Sequence, residues 1–147
     1  MREKFPLNDS QKLLLRIQLG IITSFVVVKF LLRPFVLEHR FPGALQVFVL
    51  SYPNFCEAIV GSIAVHFVLL LAKRSFLPKQ SISSNWINAL SITLTAAYVI
   101  SQELKIHNLG GENVYDPYDV LFSVFGLIVA SIILFKIRAE TSPPHSE

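Results

Sequence analysis

The sequence predicts an all-α membrane protein with four transmembrane helices, both termini cytoplasmic, and a short interfacial or re-entrant segment between spans one and two. Three observations carry that expectation. Of the 147 residues, 52% are apolar and only 16% are charged, against about 25% charged in an ordinary soluble domain. Apolar runs of roughly the 20 residues that cross a bilayer recur along the chain. The Lys and Arg residues fall unevenly between those runs, as they do when charge sets membrane orientation. The length suits one domain, residues 1–138, followed by a tail over residues 139–147.

Met1 to Gln11 is a polar flank, and Leu13 to Leu32 supplies twenty mostly apolar residues, about 30 Å of helix. Arg16 and Lys29 lie near the ends of that run, where long side chains reach the headgroups. No Ala-x-Ala cleavage pattern follows before Lys29 and Arg33, so the run reads as a retained first span. Asn8-Asp9-Ser10 fits the glycosylation triplet, but the topology places it on the cytoplasmic side.

Pro34, Pro42, Gly43 and Pro53 interrupt the next stretch, leaving Ala44 to Leu50 as an apolar segment too short to cross. It is expected to lie at the interface or to dip into the bilayer. Phe55 to Ala72 forms the second span, closed by Lys73 and Arg74, with Glu57 near its start and His66 near its middle. After a polar loop over Ser75 to Ser84, the third span runs from Asn85 or Trp86 to Gln102. Its Asn88, Ser91, Thr95 and Gln102 fall within about 60° of one another at helical spacing, a stripe that should face other helices. A loop over Lys105 to Tyr115, containing Gly110-Gly111, leads to the fourth span, Asp116 to Lys136.

With these spans, Arg2, Lys4, Lys12, Arg16, Lys73, Arg74, Lys79, Lys136 and Arg138 share one side, and Lys29, Arg33, Arg40 and Lys105 the other. Nine cations against four place both termini in the cytoplasm. Glu57, Glu103, Asp116 and Asp119 then gather at the outer face. The basic residues are thereby read as topology signals, and no nucleic acid partner is expected.

The residues with chemical potential open the fourth span. Asp116 precedes Pro117, which suits a first helical position, and Asp119 follows in the first turn, where a carboxylate meets the positive end of the helix dipole. A helix start explains much of that spacing. Asp119, Ser123, Gly126 and Ala130 are spaced four, three and four apart, so they form one ridge. Gly126 and Ala130 are expected to let a neighbouring helix approach closely, while Asp119 and Ser123 would point into the bundle, where a carboxylate requires a partner or water. Glu57 either joins this outer site, pairs with Arg33, Arg40 or another loop cation, or lies in the headgroup zone.

His66, nine residues beyond Glu57, lies about 13 Å deeper and is expected to be a neutral histidine bonded to a neighbouring helix. Cys56, the one cysteine, reads as a packing residue. No nucleophile motif, phosphate-binding loop or Cys/His ligand set appears, so the sequence names no catalytic residue, metal or cofactor and leans away from an enzyme.

The pattern formed by Gln102 or Glu103 at the end of the third span, then Tyr115, Asp116, Asp119, Ser123 and Gly126, resembles that of the VanZ-like membrane proteins. The resemblance covers residues 86–136 in its motifs, and Ala130 stands where a second family glycine is common. Asn113 stands where the family usually has Arg, Ser123 where it usually has Asn, and the loop from Glu103 to Asp116 is long. The resemblance implies a multi-pass protein of the plasma membrane and cell envelope, linked to antibiotic resistance through reduced susceptibility to teicoplanin-type glycopeptides. It nominates Asp116, Asp119 and Ser123, with Glu103 or Gln102 as a fourth member.

Two other functions remain open at this point. One is a small membrane enzyme holding a divalent ion with Asp116, Asp119 and Glu57. The other is an accessory subunit of a larger membrane complex, presenting the polar stripe of the third span and the small-residue ridge of the fourth to a membrane-protein partner. Besides the lipid bilayer, the ligand expected at the outer carboxylates is lipid-linked or a glycan.

Overall fold

A computed structural model of the chain describes residues 8–77, 82–103 and 116–141, and these form four helices with no strand. Helix α1 spans Asp9–Glu38, α2 Gly43–Phe76, α3 Ser84–Glu103 and α4 Pro117–Thr141. Helices α1, α2 and α4 are each long and apolar enough to cross a membrane.

Helix α1 starts earlier than its apolar run because Asn8 caps it. The Asn8 Oδ1 accepts from the Gln11 N–H at 2.8 Å, and Gln11 Oε1 accepts from the Asn8 N–H at 3.1 Å. This reciprocal box satisfies two otherwise free amides, so the asparagine of the glycosylation triplet is occupied as a helix cap. The helix also ends later than its apolar run. A proline ring collides with the carbonyl four residues back in a regular helix, yet Pro34 is accommodated, because residues Val28–Leu32 immediately before it form a π turn. There the Arg33 N–H donates to Val28 O, five residues back, in the wider winding that such turns allow.

Helix α1 closes on a Schellman-type turn. Phe41 N–H donates to Val36 O at 3.4 Å, the Phe35 and Phe41 rings lie 5.7 Å apart, and Arg40 takes a φ of 50°. The left-handed residue at this position is ordinarily glycine.

The separate interfacial segment expected over Ala44 to Leu50 is not formed. Those residues are the opening turns of α2, a 34-residue helix that runs through Pro53. An internal proline removes one backbone hydrogen bond, a loss that helix neighbours can offset in membrane bundles. Here Val49 is buried with Val28 and Val36 of α1, with Tyr52 packed against them, and the Tyr52 hydroxyl donates to Ser24 Oγ at 3.0 Å. Helix α4 likewise outlasts its expected end, continuing to Thr141 into what had read as the tail. The Lys105 to Tyr115 loop and its glycine pair lie outside the described residues.

Helices α2 and α4 share the largest interface and run parallel: Phe48 meets the Phe122 ring, Phe55 stacks on Phe125, and Ile59 and Ile63 join Ala130 and Leu134 in one cluster. Helix α3 packs on both, and α1 lies mainly along α2. Gly126 sets the α2–α4 distance, since a Cβ there would stand 2.5 Å from Phe55 O and 2.9 Å from the Ala58 Cβ. Leu19, Phe30, Val68, Leu71 and Leu121 are exposed on the outside, an apolar surface suited to lipid.

Candidate functional site

The polar stripe of α3 faces inward. Asn88, Ser91 and Thr95 are buried, Asn88 Nδ2 donates to Leu134 O of α4 at 3.1 Å, and Ser91 Oγ donates to Ile87 O of its own helix. Thr95 Cγ2 lies 3.1 Å from where a Cβ on Gly61 would stand, so α3 also sits close to α2. Gln102 leaves the stripe: it is half-buried and donates from Nε2 to the Tyr98 hydroxyl at 2.7 Å.

Helix α3 ends at Glu103, the first residue beyond its Trp86–Gln102 apolar stretch. Partial burial is the main cause that pushes its carboxyl above the usual glutamate range, followed by the negative charges of Asp119, Glu57 and Asp116 in that order. Burial and like charge both disfavour the ionised form. The four carboxylates expected at one level are therefore electrostatic neighbours, with Glu103 as their common member.

The local roles of the aspartates are plain. Asp116 Oδ1 accepts from the Tyr118 N–H at 2.9 Å, and Asp119 N–H donates to Asp116 O at 3.1 Å. Asp116 is thus the cap of α4, with its side chain engaged by the first turn. Asp119 is half-buried one turn above Ser123, which is buried. Gly126 and Ala130 continue the ridge into the α2 interface.

Glu57 differs from the other three. It is exposed and lines a groove of about 250 Å³ with Ile22, Phe25, Cys56 and Val60. Among the described residues it makes no ion pair with Arg33 or Arg40. No three His, Cys, Asp or Glu residues among those described stand close enough to hold one metal ion. What the carboxylates offer is proton sharing and hydrogen-bond acceptance, which suits hydroxyl-rich ligands.

His66 is buried as expected, edge-on to the Phe67 ring, but its Nδ1 has no hydrogen-bond partner. The interhelix bond expected of it is absent at that nitrogen. It lines a second polar cleft at the opposite end of the bundle, together with residues from all four helices. Spacing within one span cannot reveal that cleft, because its walls come from segments far apart in sequence. No family model matches the chain, and neither a curated protein nor a solved structure matches it.

Proposed function

We propose that the chain is a four-span protein of the plasma membrane that acts at the cell envelope in the manner of the VanZ-like proteins it resembles. On this reading Glu103, Asp119, Asp116 and Glu57 present an outer-face site to a lipid-linked or glycan ligand, and the protein contributes to tolerance of teicoplanin-type glycopeptides. The observation that carries it is Glu103, partly buried and within electrostatic reach of Asp119, Glu57 and Asp116. Such a cluster is costly in a membrane protein unless protons or ligand hydroxyls compensate it.

Helix α3 supplies the fourth span. From Trp86 to Gln102 it reaches about 26 Å, with Glu103 just beyond; Trp86 is exposed at one end as an interfacial anchor, and the polar residues that lower its hydropathy are turned into the bundle. The nine-to-four division of cations supports cytoplasmic termini.

The observations favour this over the two other readings. An enzyme built around a divalent ion lacks a three-ligand group among the described residues. An accessory subunit would use the α3 stripe and the α4 ridge for a partner, whereas Asn88 bonds to α4 and Gly126 packs on α2 within this chain. The test is Asp119→Asn and Asp119→Ala in the host, with glycopeptide tolerance measured at matched protein abundance beside a deletion strain. Alanine is expected to fall to the deletion level. Unchanged tolerance in both variants, with the deletion strain altered, removes Asp119 from the site.

A further inference from the structure

At the end of the bundle away from the carboxylates, the four helices enclose a polar cleft of about 160 Å³. By comparison, about 10–15 Å³ suffices for one water by the same measure. Its polar walls include Ser10 of α1, His66 and Arg74 of α2, and Ser84 and Asn88 of α3, with Leu134 of α4 opposite. His66 and Asn88 are only 8% and 1% exposed, yet His66 Nδ1 and Asn88 Oδ1 have no hydrogen-bond partner, and neither does Ser10 Oγ. Three unpaired buried polar atoms on residues that line one cleft are a costly arrangement for an isolated bundle, because each loses water without a replacement.

The chemistry that would satisfy Asn88 and Ser10 is specific. Asn88 commits its amide to Leu134 O, so its remaining oxygen requires a donor from the ligand. Ser10 Oγ is free to donate, and Arg74 brings a guanidinium whose fork matches phosphate oxygens. The N-termini of α1 and α3 open beside the cleft, at Asp9 and Ser84, and both favour an anion. Asp9, the carboxylate in the first turn of α1, is engaged by Lys12 at 2.8 Å.

We propose that this cleft binds a phosphate group bearing a hydroxyl donor, the chemistry shared by a phosphoglycerol lipid headgroup and free hydrogen phosphate. Arg74, Ser10 and Ser84 hold the phosphate oxygens, and the hydroxyl donates to Asn88 Oδ1. This site is independent of the carboxylate cluster, and losing one leaves the other.

Native mass spectrometry and thermal melting of the purified protein in detergent test it, with phosphatidylglycerol, phosphatidylcholine and inorganic phosphate as probes. Wild-type protein is expected to retain phosphatidylglycerol over phosphatidylcholine by roughly tenfold, and Arg74→Gln, at an exposed position, to abolish that preference. Lys136→Gln removes an exposed cation of the same end that does not line the cleft, and it should preserve the preference within about twofold. Stabilisation by inorganic phosphate that Arg74→Gln removes, without a lipid preference, identifies free phosphate as the source. Equal losses in Arg74→Gln and Lys136→Gln, or no response to any of the three probes, overturns the site.

Discussion

Asn88 Nδ2 donates to the carbonyl oxygen of Leu134 across the α3–α4 interface, 3.1 Å away, from a position only 1% exposed. An amide thus ties the helix that carries the buried polar stripe to one of the most apolar. Replacing Asn88 with alanine removes the tie and leaves a small void, and is expected to destabilise the fold by about 1–3 kcal/mol. Unfolding in detergent reports the change as a lower melting temperature. An unaltered melting temperature would show that the tie contributes nothing.

Gly126 and Gly20 make a matched pair for testing how closely helices approach. A Cβ on Gly126 would meet the Phe55 backbone, whereas one on Gly20 would meet nothing within 4 Å. Gly126→Ala forces α2 and α4 apart and is expected to cost about 1–3 kcal/mol. Gly20→Ala is expected to be neutral or to stabilise by about 0.5–1 kcal/mol through helix propensity. Equal effects at the two positions would contradict the described α2–α4 contact.

Glu103 holds its proton more tightly in the folded chain than in the unfolded one, because burial and then Asp119, Glu57 and Asp116 raise its pKa above 4.5. The folded state binds the extra proton between those two values, so stability falls as pH rises from 4.5 through the raised value and is level above it. Glu103→Gln removes the ionisable group. It is expected to melt higher than wild type at neutral pH, with the difference closing as pH drops below 4.5. Parallel pH profiles for the two proteins would refute the coupling. Asp119→Asn should move the wild-type transition to lower pH by removing the neighbouring carboxylate with the strongest effect on Glu103.

Membrane orientation can be read by single-cysteine labelling, since native Cys56 is 1% exposed and should contribute little background. A membrane-impermeant maleimide is expected to label Tyr118→Cys and Ser101→Cys in intact cells. Ser75→Cys and Ser83→Cys should label only after permeabilisation. The Ser83 and Ser101 pair bears directly on whether α3 crosses, because accessibility of both from one side would remove the fourth span.

Much of the helical layout is legible in the sequence because it follows from periodicity within single segments. The spacing of Asn88, Ser91 and Thr95 announces an inward stripe, and that of Gly126 and Ala130 announces a close interface; both are present. The cap at Asp116 follows from the proline after it. Pro34 and Pro53 mislead as breakers, because a proline's cost depends on surroundings that spacing does not show. A π turn receives the first, and α2 continues through the second. The Asn8–Gln11 capping box is present as a pattern, but the same asparagine opens a glycosylation triplet, and the two cannot be told apart by spacing. The cleft around His66 is legible only after folding, since it joins Ser10 to Asn88 and Leu134.

The π turn of α1 also resets the helix's rotational phase. Val28 and Val36 are both buried in one cluster with Val49, although eight residues of unbroken α-helix would turn them about 80° apart. One residue taken up by the wider turn brings that offset close to about 20°. The turn therefore absorbs one residue without changing the direction faced by Arg33–Glu38. Deleting any one residue from 29–32 would let that stretch wind as regular α-helix and leave Arg33–Glu38 facing the same way, because seven residues of unbroken helix carry the same offset of about 20°.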